Sequence, residues 1–462
     1  MKITVIGTGY LGAVHAAGMA SLGHDVVGVD TDSMKVEALN RGKAFFHEPG
    51  LDELLERGVR SGYLRFSTSI RDAADHAKVH FLAVGSPQEE GSYRADTTYL
   101  DAVIDGIVPL LSEHHLLIGK STVPVGTARR LQRRADRILR KMSSDATVTV
   151  CWNPEFLREG QAVEGTLHPD RIVLGLPDMP GPVHNAVDTT LREVYAVPLG
   201  QSAARDPIPV LVTDLETAEL VKVSANAFLA MKISYINAVS EVCEVSGADV
   251  TVLARAIGLD DRIGPKFLQA GLGFGGGCLP KDIHAFMARA GELGADDAQM
   301  LLRQVDRINM RRREKMVARV RESFGGSMLG HPVTVLGAAF KPDSDDVRDS
   351  PALSVAEALR ADGARVTVYD PVAVENARRI FPQLHYAPTL EGALEGADAL
   401  VVATDWREFR EMDPVASRRR VARPVVFDGR NCLPTDDWTA AGWDVRRIGQ
   451  CPSRHGDGRV VN

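Results

Sequence analysis

The sequence predicts an α/β protein with two doubly wound parallel sheets joined by a long central helix. Three observations carry that fold class. Short β-branched runs alternate with helix-length amphipathic stretches over the first 176 residues. The same alternation restarts near Pro332. Between them, residues 214 to 246 contain neither proline nor glycine. Strands alternating with helices build parallel sheets covered on both faces, because each crossover lays its helix on one side of the sheet.

In chain order, the first block offers strands ITVIG at 3–7, VVGVD at 26–30, VHFLAVG at 79–85, LLIGKSTV at 116–123, VTVCW at 148–152 and RIVLGL at 171–176. The uninterrupted stretch that follows predicts a helix about 50 Å long at 1.5 Å per residue. Its apolar residues (Leu220, Val221, Val223, Ala227, Phe228, Leu229, Met231, Ile233, Tyr235 and Ile236) surround the axis, so the helix is expected to be buried on most sides, as a spine between domains and a subunit interface. The second block supplies VTVLG at 333–337, RVTVYD at 365–370, ALVVATDW at 399–406 and VVFDG at 425–429. The chain therefore reads as Rossmann-like domains at 1–200 and 326–462 flanking a helical middle at 201–325. The polar segment CPSRHGDGRVVN, 451–462, reads as a loose tail.

Composition excludes several classes. The 462 residues are 44% hydrophobic and 25% charged, ordinary for a folded protein. A net charge of -7 with a pI near 6.0 argues against a nucleic-acid partner, which calls for a concentrated basic excess. No stretch of 18 apolar residues offers a membrane span, and glycines interrupt the N-terminus where a signal peptide needs an apolar run, so a cytoplasmic protein is expected. The five cysteines (Cys151, Cys243, Cys278, Cys432, Cys451) never form a CxxC pair, so neither a disulfide framework nor a zinc site is indicated. No HExxH or GxSxG occurs, and the adjacent His114 and His115 read as a polar surface turn; no metal is expected.

Gly7-Thr8-Gly9-Tyr10-Leu11-Gly12 follows the first strand and opens a helix. In that context Gly7 allows a tight turn, Gly9 lets the backbone approach a pyrophosphate, and Gly12 permits close helix packing. Asp30 ends the second strand, where a carboxylate accepts from a ribose 2′-hydroxyl and repels a 2′-phosphate, favouring NAD over NADP. Gly337 in the second block lacks the next two glycines, so that half is expected to hold something other than a dinucleotide.

The stretch from Gly271 to Asp282 (GLGFGGGCLPKD) is the most unusual. Five of the seven positions before Cys278 are glycine, which points to a loop whose backbone lies against a ligand. Pro280 suits a first helical position, setting Cys278 just ahead of a helix N-terminus and beside Lys281. Both would lower the thiol pKa and make it a nucleophile; the alternative is an inert, small apolar side chain. On the long helix Lys222 and Asn226 share a face. A lysine in so apolar a helix needs an anionic partner, which reads either as an ion pair or as catalysis.

Together these segments resemble the UDP-glucose 6-dehydrogenases among the nucleotide-sugar dehydrogenases. The likeness runs essentially end to end: GTGYLG, GSP at 85–87, KSTVPVGT at 120–127, NPEFLREG at 153–160, HPDRI at 168–172, LVKVSANAFLAMKISYINAVSE at 220–241, DRIGPKFLQAGLGFGGGCLPKD at 261–282 and GAAFKPDSDDVRDSP at 337–351. It implies an N-terminal NAD domain, a central dimerisation helix and a C-terminal nucleotide-sugar domain, oxidising the sugar C6 alcohol to a carboxylate with two NAD. By the resemblance, Cys278 forms a thiohemiacetal and then a thioester, Lys222 and Asn226 stabilise the oxyanion, and Asp282, Thr122 and Glu155 orient or deprotonate water. NAD contacts are implied for Gly7, Gly9, Tyr10, Leu11, Gly12, Asp30, Lys35, Ser86, Pro87, Thr122, Glu159, Lys281 and Arg348. Sugar-nucleotide contacts are implied for Glu155, Phe156, Leu157, Arg158, Glu159, Lys222, Asn226, Phe267, Leu268, Gly271, Gly275, Phe340 and Lys341, with Arg262 reaching a neighbouring subunit's site in a homodimer or larger homo-oligomer. Gly277, Leu279 and Ser86 depart from the serine, phenylalanine and threonine usual in the branch, and Gly277 is expected to loosen the loop. UDP-glucose or dTDP-glucose is the expected substrate; a UDP-N-acetylhexosamine, GDP-mannose or a non-catalytic NAD-binding role are the competing readings.

Overall fold

The computed structural model describes residues 1–177, 181–200 and 207–450; Cys451 and the tail lie outside the described residues. The chain divides into two compact units, 1–225 with 284–293, and 226–283 with 294–462. Among the described residues no helix is long and apolar enough to cross a membrane.

The first unit is built on an eight-stranded sheet: β1 Lys2–Ile6, β2 Asp25–Val29, β3 Leu64–Ser67, β4 Val79–Leu82, β5 His114–Gly119, β6 Thr147–Trp152, β7 Ile172–Leu176 and β8 Val210–Asp214. Its order is β3-β2-β1-β4-β5-β6-β7-β8, and all pairs are parallel except β6 with β7. The sheet is doubly wound because alternate residues feed two cores: Ile3 and Val5 pack with Ala13 and Met19 on one face, Ile6 and Val29 with Leu100 and Leu131 on the other. The first turn behaves as its glycines require. Gly7 adopts φ +89, and a Cβ on Gly12 would lie 1.8 Å from the Gly7 carbonyl.

The second unit repeats the plan with six strands: β9 Pro332–Leu336, β10 Arg365–Tyr369, β11 His385–Tyr386, β12 Ala399–Val402, β13 Val425–Asp428 and β14 Asp444–Arg447. Their order, β11-β10-β9-β12-β13-β14, is the doubly wound order in which the strands reverse direction of addition at the first one, and every pair is parallel.

The helix read from the breaker-free stretch spans Leu215–Ser246. One side is buried through Val223, Ala227, Ala230, Ser234 and Asn237. Within this chain burial does not run all round the axis: Phe228, Tyr235, Val242 and Val245 are 55 to 87% exposed. The first three repeat every seven residues and so form one apolar stripe on a helix of 3.6 residues per turn. The surface turn expected at His114 and His115 is also overturned. Both lie in β5, where alternation puts His114 outside and His115 inside, its Nδ1 2.9 Å from Nε2 of the buried His80.

Candidate active site

In the first unit the helix Tyr10–Ser21 starts directly after the glycine turn, and no side chain caps its N-terminus. A Cβ on Gly9 would meet nothing within 4 Å, so the backbone there faces open space. Asp30 ends the second strand run, with Oδ2 accepting from the Thr8 amide at 2.9 Å and Oδ1 from the Asp32 amide at 3.1 Å. Those bonds hold the carboxylate beside the turn and leave it further lone pairs. An uncapped helix start, an open glycine and a fixed acid fit a dinucleotide pyrophosphate and its ribose. Lys35 lies 3.8 Å from Asp32 and over the Phe45 ring. Leu11 packs against the core, and Tyr10 donates to Glu48. Ser86 Oγ donates to the Thr122 carbonyl at 2.6 Å, and the Pro87 carbonyl accepts from the Asp96 amide.

Glu48 had no signal in the sequence. Buried, it accepts from the Gly160 and Ala162 amides, both at 2.7 Å, and so fixes the end of the NPEFLREG loop and the start of helix Ala162–Leu167. Burial first, and then Glu48 and Glu159, push the Tyr10 hydroxyl pKa far up. Within the loop, Glu155 Oε1 pairs with Lys222 Nζ at 3.1 Å and Oε2 accepts from the Leu157 amide at 2.5 Å. The anion demanded by Lys222 is therefore Glu155. Phe156 lies under the Arg171 guanidinium at 3.7 Å, Leu157 joins the core, and Arg158 pairs with Asp170.

In the second unit the glycine loop is held by buried side chains. The Asn237 side chain accepts from the Gly271 amide at 2.9 Å. Asn309 accepts from the Phe274 amide at 2.8 Å and donates to its carbonyl at 3.0 Å, and Arg430 donates to the Gly273 carbonyl. A Cβ on Gly275 would meet the Asp349 carbonyl at 2.3 Å, and one on Gly276 the Phe340 ring at 2.7 Å. Close approach of backbone at Gly275 and of an aromatic ring at Gly276 thus requires the glycines. At Gly277 the space a Cβ would take is filled by the Arg348 guanidinium, 2.2 Å away at Cζ. Cys278 is exposed and opens the helix Leu279–Glu292, its carbonyl accepting from the Asp282 amide at 2.9 Å. The Lys281 ammonium is paired with Asp282 at 2.9 Å, which balances part of the charge expected to act on the thiol. Asp282, 1% exposed, also accepts from Asn226 Nδ2 at 2.6 Å.

Of the other expected contacts, Phe267 sits at φ +66, Leu268 is buried, and Lys341 lies 5.5 Å over the Phe340 ring. Arg348 is held by Asp346, and Arg262 is highly exposed, bonded to Asp260. Cys151 and Cys243 are buried, and burial pushes both thiols up. The second unit's counterpart of Asp30 is Asp370. It is buried and spent internally, accepting from the Ala338, Ala339, Val372 and Ala373 amides and from Trp406 Nε1. A carboxylate with five protein donors has nothing left for a ribose, so this unit is not a second dinucleotide site.

The fold and the glycine turn define an NAD-dependent dehydrogenase carrying a second nucleotide-type unit. The chain belongs to the UDP-glucose/GDP-mannose dehydrogenase family, as an NAD-using nucleotide-sugar 6-dehydrogenase: the family's NAD-binding domain matches residues 1–197, its central domain 216–311 and its UDP-binding domain 334–435. Similar proteins include a UDP-glucose 6-dehydrogenase of Rhizobium meliloti, 42% identical over 97% of this chain and 100% of that protein, and one of Bacillus subtilis, YwqF, 37% identical over 97% and 98%. The structure of a UDP-glucose dehydrogenase from Pyrobaculum islandicum superposes with a TM-score of 0.86 at 36% identity, covering 97% of this chain and 98% of that one. A UDP-D-ManNAc dehydrogenase from Pyrococcus horikoshii gives 0.82 at 27%, covering 97% and 99%.

Proposed function

We propose that this chain oxidises UDP-glucose at C6 to the uronate, with Cys278 as the covalent nucleophile. The observation that carries this reading is the exposed Cys278 at a helix start, at the end of a glycine loop fixed by buried Asn237 and Asn309. Glycines held rigid in this way place a thiol instead of letting it wander. Relatives described as UDP-glucose 6-dehydrogenases, at 37 to 42% identity over nearly the full length, support the uridine nucleotide and glucose over dTDP-glucose or GDP-mannose.

NAD, when bound, accepts one hydride at each of the two oxidations. Cys278 Sγ forms a bond to the C6 aldehyde carbon, and the carbonyl oxygen takes the electron pair and then a proton, giving a thiohemiacetal. Loss of that proton and of the C6 hydride leaves a thioester. Water adds to it and the C–S bond breaks, so that the acid and the Cys278 thiolate are released. Lys222 and Asn226 serve as fixed donors for the oxygen, which carries negative charge at both tetrahedral stages. Glu155, Thr122 and Asp282 hold and deprotonate the water. Residues 1–200 form the NAD-binding domain and 326–462 the nucleotide-sugar domain, while further contacts to each ligand come from outside its own domain, among them Lys281 and Arg348 for NAD and Glu155, Lys222 and Asn226 for the sugar nucleotide. Residues 201–325 carry the cysteine loop and pair with a second copy.

Cys278→Ala should bind NAD unchanged and make no uronate, whereas the wild type should yield two NADH per UDP-glucose in a panel of UDP-, dTDP- and GDP-sugars. Undiminished acid from the variant, or one NADH per sugar, would overturn the reading. The exposed stripe of Phe228, Tyr235 and Val242 and the projecting Arg262 support pairing with a second copy. A monomer by sedimentation at micromolar concentration would remove that part.

A further inference from the structure

Lys120 follows β5 and precedes Thr122 by two residues; Asn153 follows β6 and precedes Glu155 by two. The two strands are in parallel register up to Gly119 and Trp152, and the Asn153 amide still donates to the Gly119 carbonyl at 2.8 Å. Lys120 is 7% exposed, yet among the described residues no carboxylate lies within ion-pair distance of it. Its ammonium donates to Asn153 Oδ1 at 2.9 Å and to the Tyr195 hydroxyl at 3.3 Å, and faces the Phe81 and Tyr195 rings at 5.8 and 5.9 Å. Tyr195 donates to the same Oδ1 at 2.5 Å, and Asn153 Nδ2 donates to the Val173 carbonyl of β7 at 2.8 Å. That set admits only one orientation of the Asn153 amide.

A buried ammonium satisfied only by neutral groups is unfavourable, and a methionine would fill the same space without that penalty. Burial pushes its pKa down to about 8, with the charge of Glu155 acting the other way. A cavity of about 140 Å³ adjoins it, lined by His15, Asn153, Glu155 and Tyr195, and the buried His15 Nε2 has no hydrogen-bond partner among the described residues. The hydrogen bonds of Lys120 and Asn153 tie two strand ends together at the points from which Thr122 and Glu155 depart.

We propose that Lys120 is a positioning residue for the hydrolytic half of the reaction, its bond to Asn153 setting the spacing of the β5 and β6 ends and thereby of Thr122 and Glu155. The proposal rests on the reading of those two residues as the ones that handle water. Lys120 acts through Asn153 on Thr122 and Glu155, which makes it a positioning residue.

The test uses the full-length enzyme with UDP-glucose and NAD. Lys120→Met should slow acid release at least about tenfold while KM for UDP-glucose and the Kd for NAD stay within about threefold, a kcat-specific loss that points away from ground-state binding. Intact-mass measurement at steady state should show the acyl adduct accumulating on Cys278. Lys120→Arg, for which the cavity leaves room, should restore the rate and clear the adduct. Thr122→Ala and Glu155→Gln run in parallel. If these two slow acid release and Lys120→Met does not, the positioning role is wrong. If neither slows it, the reading of the water-handling residues fails and Lys120 has nothing to position. Should Lys120→Met not fold, Tyr195→Phe, which removes one bond of the same cluster, carries the test; wild-type kinetics with no adduct would then refute the proposal.

Discussion

Replacing Lys222 by methionine separates its two readings, ion pair and catalytic group. Its Nζ lies 3.1 Å from Glu155 Oε1, and the two side chains are 6% and 13% exposed. At an effective dielectric of 20 that distance corresponds to about 5 kcal/mol of attraction, partly offset by desolvation, which leaves a coupling of about 2 to 4 kcal/mol. Lys222→Met alone should therefore destabilise the protein by about 3 to 5 kcal/mol, because it strands a buried carboxylate. Glu155→Gln alone should also destabilise, by stranding the ammonium. The double variant Lys222→Met/Glu155→Gln has no stranded charge and should return to within about 1 kcal/mol of wild type. Urea unfolding of the four proteins followed by circular dichroism measures the cycle. Activity should behave differently: an oxyanion donor is worth about 10² to 10³ in kcat, and the double variant cannot recover it. Additive stability losses would refute the ion pair as an energetic unit. Recovered activity in the double variant would refute a catalytic role for Lys222.

Acid should weaken the first unit. Burial holds the His80 pKa at about 3, and His15, His24 and His115 are lowered by the same cause, so the folded chain refuses protons that the unfolded chain accepts below about pH 6.5. Their stabilisation is intact above that pH and is lost as pH falls; His80 alone should remove about 2 kcal/mol by pH 5. Hydrogen exchange of peptides covering β4 and β5 at pH 7.5 and 5, corrected for intrinsic rates, checks it, and equal protection would contradict the buried neutral imidazoles. Asp370→Asn places an amide donor against five donors, so it should cost about 2 to 4 kcal/mol of stability without weakening NAD binding. A thermal midpoint equal to wild type, or a lost NAD site, would show that Asp370 does something else.

Local pattern was enough for much of this protein. The β-branched runs marked ten of the fourteen strands among the described residues, because a buried parallel strand must be apolar along its length. The absence of proline and glycine marked the helix Leu215–Ser246 almost to the residue. The four missed strands, β3, β8, β11 and β14, are two to five residues long, and all four lie at an edge of their sheet, where half the pattern faces water.

The sequence by itself determined the alternation of strand and helix, the glycine turn with Asp30, and the placement of Cys278 at a helix start, since each depends on residues close together in the chain. Only the tertiary structure decided which anion answers Lys222, that Glu48 anchors the loop after Glu155, that Arg348 fills the space beside Gly277, and that one stripe of the long helix is left uncovered by its own chain. These are contacts between side chains distant in sequence, and no local periodicity records which partner a folded chain brings within 3 Å.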